Sequence, residues 1–290
     1  MKNRPEHIQG LIFACLGALA LTPDGLLVRL AGVSDLNIVF WRGFLIAVAL
    51  FLVQLIQHRR QVFKAVILRS RKEWAAAVFA ALGTTTFVLA ITHTTVANVL
   101  VILSTMSLFS ALLSMIFLKE RIAFRTWLAM FAAIVGIIIV FMDDLNGLGL
   151  SGKLFALGCA FMTSATMTLI RSDKSIKIPA VYIWSGLMVA IPCFFLSTSS
   201  LAIDMNTGFI FIVMAGLNAI AFVLLAAGAK LIPSPEVSLL MLLETIIGPI
   251  WVWFVLTETP STNALIGGSI VVATLALHSI ASHKAQKHKL

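Results

Sequence analysis

The chain has 290 residues, of which 60% are hydrophobic and only 11% charged, with a mean hydropathy of +1.04. Soluble domains carry about 25% charged residues, so this composition excludes a soluble enzyme or binding module and predicts an integral, all-α membrane protein. The formal charge of +9 then reports topology rather than a nucleic-acid partner, and no nucleic acid is expected.

A spanning helix needs about 20 mostly apolar residues, and that criterion yields roughly ten runs: 8–28, 36–57, 73–92, 95–118, 123–142, 151–171, 179–199, 207–229, 235–256 and 262–281. Lys2 and Arg4 precede the first run, and no A-x-A-like cleavage site ends it cleanly, so it reads as a retained helix. Inside it stands "LTPDGLLVRL" (21–30). Pro23 lacks a backbone donor and Gly25 loosens the helix, so the first run is expected to bend there, with Asp24 at the bend. The second run carries Arg42 in "FWRGFLIA". The third contains "GTTTF" with Thr85, and the joint "THTTVAN" divides it from the fourth, which contains "STMS" with Ser104. After the joint "KERIAFR" and a plain fifth run, the sixth brings "TSATMT" with Thr166. The ninth holds Glu244, Pro249, Trp251 and Trp253, and the tenth ends in the basic tail "SHKAQKHKL". Cys15, Cys159 and Cys193 lie in apolar runs without metal-ligand spacing and read as small buried hydrophobes. No metal and no cofactor is expected.

With the N-terminus in the cytoplasm, 18 of the 21 Lys and Arg residues fall on the cytoplasmic side. Arg29 and Lys153 fall outside, and Arg42 lies within a helix. The outer side takes Asp35, Asp143, Asp144, Asp204 and Glu258. An even number of spans returns the basic tail to the cytoplasm. The expected location is the inner (cytoplasmic) membrane, with both termini cytoplasmic and the lipid bilayer as the surrounding partner.

Ten spans divide into two fives, and an odd number inverts the second half. "IFLKERI" (116–122) aligns with "FVLTETP" (254–260), placing Glu120 on Glu258. "FWRGFLIA" (40–47) aligns with "IWSGLMVA" (183–190), placing Trp41 on Trp184 and Gly43 on Gly186. The expected architecture is two inverted five-helix repeats, 1–146 and 147–290, an arrangement common in secondary transporters.

"NVLVILSTMSLFSALLSMIFLKERI", followed by "WLAMFAAIVGIIIV", resembles the first half of the EamA family of the drug/metabolite transporter superfamily. "LLMLLETIIGPIWVWFVLTETP", followed by "ALIGGSIVVATLAL", resembles its second half, and the arginine of "FWRGFLIA" matches the family's second-helix pattern. The resemblance covers essentially the whole chain. It implies a carrier of a small, amino-acid-like metabolite, exporting it by alternating access. It also implies a central cavity lined by parts of the first, third, fourth, sixth, eighth and ninth spans. Importer, exchanger and multidrug efflux functions share that fold. The family often has proline where this chain has Ser107 and Thr245; here Pro249 follows instead, so a kink in the ninth span is expected to be displaced outward.

Three ionisable residues fall inside spans: Asp24, Arg42 and Glu244. A charge at a helix centre costs about 2.5–3.5 kcal/mol on insertion scales, so such groups pair or face a cavity. Asp24 and Arg42 each lie about 7–8 Å outside the midplane at 1.5 Å per residue, on spans joined by a short loop, so an ion pair between them is permitted. Arg29 is the rival partner for Asp24. Arg42 reads as a bolt between helices or a side chain reaching the outer headgroups, or as a planar receptor for a substrate carboxylate, and the two roles are compatible if substrate displaces Asp24. Glu244 has three open roles: proton coupling, binding a substrate amine, or a hydrogen bond to a neighbouring helix. Thr85, Ser104, Thr166 and Trp251 complete the candidate substrate-binding or gating set, although hydroxyls in bundles most often join helices. Glu120 and Glu258 read as caps or loop anchors.

No G-x-x-x-x-G-K-[ST] loop is present, so a gradient rather than direct ATP use is expected. Neither H-E-x-x-H nor G-x-S-x-G occurs, which counts against an intramembrane enzyme. No ring of like charge or filter-like loop points to a channel.

Overall fold

The computed structural model describes residues 4–59, 62–119, 124–142, 149–173, 175–197, 201–232 and 234–287. Glu120, Asp143 and Asp144 lie outside the described residues. The described chain folds into helices α1 (Arg4–Leu21), α2 (Asp24–Leu30), α3 (Asp35–His58), α4 (Val62–Val66), α5 (Arg71–His93), α6 (Val96–Leu103), α7 (Met106–Leu118), α8 (Phe124–Met142), α9 (Leu150–Ser172), α10 (Ile178–Leu196), α11 (Met205–Leu231), α12 (Ser234–Leu256) and α13 (Thr262–Lys287). No strand occurs among the described residues. In hydrocarbon each backbone N–H and C=O must find a partner within the protein, and a helix provides one locally.

Among the described residues, seven helical stretches are long and apolar enough to cross a membrane: Glu6–Leu30, Asp35–Gln57, Arg71–His93, Val96–Phe117, Leu150–Ser172, Ile178–Leu196 and Met205–Leu225. Shorter apolar helices, Thr126–Met142, Leu240–Leu256 and Thr262–His278, occupy the fifth, ninth and tenth expected runs. Large apolar side chains such as Phe131, Phe195 and Phe254 point outward. That suits a lipid-facing surface and would be costly in water.

The first run breaks where expected. Pro23 separates α1 from α2, and the Thr22 hydroxyl and N–H both turn back to the Leu19 carbonyl, at 2.9 and 3.2 Å. A second break, which the sequence reading did not anticipate, divides α6 from α7 at Ser104–Thr105. No proline causes it. The hydroxyls of Ser104 and Thr105 donate to the carbonyls of Val101 and Ile102, each at 2.6 Å. Such back-bonding competes with the helix ladder. The expected outward kink in the ninth span does not become a break, because α12 runs continuously through Pro249.

α1 packs on α11, α3 on α10, α5 on α9 and α8 on α13; α5 also meets α10, and α3 meets α11. Two of these crossings are built on glycine pairs. Gly43 of α3 lies against Gly186 of α10, and Gly136 of α8 against Gly267 of α13, each pair so close that a Cβ would meet the facing carbonyl oxygen. Small residues let helices approach where no aqueous hydrophobic drive assists them.

α5 begins with a capping box. Glu73 N–H donates to Ser70 Oγ (3.1 Å), and Glu73 Oε2 accepts from the N–H groups of Ser70 (2.9 Å) and Arg69 (2.6 Å). Lys153, expected in the outer aqueous region, is instead fully buried in α9. Its ammonium donates to the Val140 carbonyl and lies 5.7 Å from the Phe141 ring centroid.

Candidate functional site: a buried arginine cluster

The break at Pro23 starts α2 with Asp24, which turns the carboxylate inward toward α3. There Arg42 Nη1 donates to both Asp24 oxygens, at 2.7 Å (Oδ1) and 2.8 Å (Oδ2). Both residues are buried, with relative exposures of 5% for Asp24 and 8% for Arg42. Arg42 is thus the partner of Asp24. The rival, Arg29, turns away and donates to the Thr94 carbonyl at 2.8 Å, with its Nη2 3.6 Å from Glu258 Oε2.

α11 closes the cluster from the other side. Asn218 Nδ2 donates to Asp24 Oδ1 at 2.8 Å and to the carbonyl of Met214, one turn earlier, at 2.9 Å. Met214 Sδ lies 3.7 Å from Arg42 Nη1. Phe87 of α5 covers a face of the guanidinium, with its ring centroid 4.8 Å from Cζ. The sequence reading missed Asn218, Met214 and Phe87. Asn218 had a signal, since a lone amide in the apolar stretch "AGLNAIAF" must find a partner inside the bundle.

These contacts leave Arg42 half used. All of its hydrogen bonds among the described residues run through Nη1, while Nε is buried with no hydrogen-bond partner. A buried donor without an acceptor costs about 1–3 kcal/mol, more when charged. Nε and Nη2 form the edge of a guanidinium that takes a carboxylate through two parallel bonds.

Glu244 of α12 is half-buried and lies close enough for its charge to bear on both Asp24 and Arg42. Cys159 of α9 is within electrostatic reach of Arg42 and Glu244, and its sulfur lies 3.9 Å from Thr163 Oγ1. Groups from α2, α3, α5, α9, α11 and α12 therefore converge on one interior region. Trp251 joins it indirectly, its indole N–H donating to Thr22 Oγ1 at 3.0 Å and tying α12 to the α1–α2 break.

The other candidate hydroxyls bond to backbone. Thr85 donates to the Ala81 carbonyl at 3.0 Å, and Ser104 belongs to the α6–α7 break. Thr166 is fully buried against α5, donating to Met162 (3.0 Å) and lying 3.5 Å from the Ala76 carbonyl.

Ties also occur at both ends of the bundle. Glu258 Oε1 accepts from the N–H of Val96 at 3.1 Å, anchoring the segment before α13 to the start of α6. At the opposite end of α12, Glu236 Oε2 lies 2.8 Å from His7 Nε2 of α1. A crevice of about 720 Å³ opens between α6, α12 and α13, lined by residues such as Val101, Ile246, Pro249, Trp253 and Leu265. Its walls are mainly apolar, and Ile246, Trp253 and Leu265 are exposed, so it opens at the bundle surface and is separate from the arginine cluster.

A helical bundle with outward apolar faces and a charged cluster at its centre defines a multi-pass membrane protein with a polar interior site. Residues 8–142 match the EamA-like transporter family, one of the families of the drug/metabolite transporter superfamily. The family consists of membrane transporters. A comparison with curated proteins finds no match. Among solved structures 24 chains match. One, described only as the crystal structure of a protein, superposes with a TM-score of 0.68 over 95% of this chain and 98% of its own, at 14% identity. That likeness establishes a shared fold.

Proposed function

We propose that this protein is a secondary transporter that exports a small, amino-acid-like carboxylate across the cytoplasmic membrane by alternating access, with Arg42 as the carboxylate receptor. The observation that carries the reading is the buried, unpartnered Nε of Arg42. A planar carboxylate on the Nε–Nη2 edge supplies the missing acceptors without displacing Asp24. Glu244 lies within electrostatic range of the same guanidinium. It is suited to receive a substrate ammonium, or a proton when a gradient drives the cycle.

Two inverted repeats, 1–146 and 147–290, fit this reading. Exchanging each expected span with its counterpart five places on relates the main packing pairs to one another: α1 with α11 becomes α9 with α5, and α5 with α10 becomes α11 with α3. α3 with α10 and α8 with α13 map onto themselves. Asp24 and Arg42 come from the first half and Asn218 from the second. Rocking the halves would therefore change what Asp24 holds, and with it the affinity of Arg42 for substrate. The Arg29–Glu258 and His7–Glu236 ties, at opposite ends, are the proposed gates.

The test is a thermal-shift screen of purified protein against metabolites paired as carboxylate and carboxamide, followed by counterflow in proteoliposomes with and without a proton gradient. Stabilisation by carboxylates, weak or absent with their amides, and saturable counterflow are expected. Equal response to both members of every pair would overturn the assignment of Arg42.

A further inference from the structure

The segment between α3 and α5 goes beyond the transport site. Its inner face is apolar and buried: Val62, Val66 and Leu68 pack inward, Val62 and Val66 in a cluster with Ile46 and Leu50 of α3, Ile183 of α10 and Ala215 of α11. Its backbone is held by the second half of the chain. The Trp184 indole donates to the Val66 carbonyl at 2.9 Å, and the Lys177 ammonium donates to that of Lys64. The segment is thus a strap lying across α3 and α10.

Its outer face combines two features that a simple aqueous loop does not need together. Arg59, Lys64, Arg69, Arg71 and Lys72 are all exposed, and none forms an ion pair among the described residues. Glu73, the acid within this stretch, is buried in the α5 capping box. Between the basic residues, Phe63 is 68% exposed and Ile67 46% exposed, with Trp74 exposed one turn into α5. A soluble phosphate would be served by the cations alone. Exposed phenylalanine and isoleucine beside exposed arginines and lysines, of which Lys72 has a carboxylate (Asp173) within electrostatic range, fit the headgroup boundary, where apolar side chains enter the acyl region and cations meet phosphates.

We propose that Arg59 and residues 62–74 form an in-plane binding site for anionic phospholipid, which braces the α3–α10 joint from the membrane surface. Each Lys or Arg near a charged leaflet contributes about 1 kcal/mol of attraction. Because the strap touches α3 and α10, headgroups bound there act on the contact between them. The site does not depend on the identity of the transported solute.

The full-length protein is placed in nanodiscs of phosphatidylcholine alone or mixed with phosphatidylglycerol. Retained lipid is counted by native mass spectrometry, and Tm is measured. Wild type should retain phosphatidylglycerol preferentially and melt at a higher temperature when it is present. The combined Lys64→Gln, Arg69→Gln, Arg71→Gln and Lys72→Gln variant should lose that preference by about tenfold or more, with its Tm in phosphatidylcholine unchanged. If the combined variant does not fold, the single changes Lys64→Gln and Lys72→Gln should each weaken the preference. Phe63→Ser with Ile67→Ser should weaken it at constant charge. Equal retention of the two lipids by wild type, undiminished preference in the charge variants, or displacement of phosphatidylglycerol by inorganic phosphate would overturn the proposal.

Discussion

Gly43 and Gly186 meet backbone to backbone where α3 crosses α10, with room for no more than hydrogen on either side. A methyl at Gly186 would collide with the Gly43 carbonyl and with Ala47 Cβ, and backbone cannot swing aside as a flexible side chain can. Gly186→Ala should therefore destabilise the bundle by about 1–3 kcal/mol, the usual range for overpacking. Gly216 of α11 is the control. A Cβ there meets nothing within 4 Å, so Gly216→Ala should be neutral or stabilise by up to about 1 kcal/mol through helix propensity. Thermal unfolding of both variants in one detergent checks the contrast.

The Asp24–Arg42 pair makes a sharper prediction about partners than about charge alone. Asp24→Ala leaves a buried guanidinium without its counter-charge and should cost about 3 kcal/mol or more. Asp24→Ala combined with Arg42→Met removes both charges and should recover much of that loss. A double-mutant cycle on thermal or denaturant unfolding measures it, and a double variant no more stable than Asp24→Ala would argue against coupling.

Asn218 anchors that pair to α11. Asn218→Ala should cost about 1–3 kcal/mol, the usual penalty for leaving a buried partner unsatisfied. Transport should fall further than stability alone explains, because Asp24 loses its tie to the other half. Counterflow rates normalised to folded protein distinguish the two effects.

The α5 capping box predicts a local effect away from transport. Ser70→Ala removes the acceptor for the Glu73 N–H and should cost about 1 kcal/mol. Hydrogen exchange should rise in the first turn of α5 and stay unchanged around Arg42.

Much of this was legible before folding was considered. Apolar runs of spanning length located the helices, and Pro23 marked the first break because a missing N–H and a ring clash act locally. The Asp24–Arg42 pair was legible because matched depth and a short connection left few alternatives. The partners farther along the chain were not. Nothing in "AGLNAIAF" says which face of α11 meets Asp24, and Arg29 finds Glu258 only once α6, α12 and α13 have come together. The Ser104–Thr105 break had no proline to announce it, since hydroxyls bend a helix only in particular rotamers. Lys153 was misplaced because a basic residue near a run's end reads as solvated, whereas here it reaches the Val140 carbonyl. Thr85, Ser104 and Thr166 showed polarity without direction, and their hydroxyls are bonded to backbone carbonyls.

Glu244 offers a separable test of coupling. Glu244→Gln keeps shape and removes the charge that bears on Arg42 and Asp24. If Glu244 carries the proton, the variant should still exchange substrate in counterflow but no longer respond to an imposed pH gradient. Unaltered gradient-driven transport would remove Glu244 from the coupling step and leave the carboxylate site untouched.

The most direct test of the central claim is the affinity of wild type and Arg42→Lys for one carboxylate metabolite and its carboxamide, read by competition in counterflow. A lysine keeps the positive charge but lacks the two-donor edge that Nε and Nη2 provide. The account predicts that wild type prefers the carboxylate and that Arg42→Lys loses most of that preference while remaining folded. A preference preserved in Arg42→Lys, or absent from wild type for every pair tried, would contradict it.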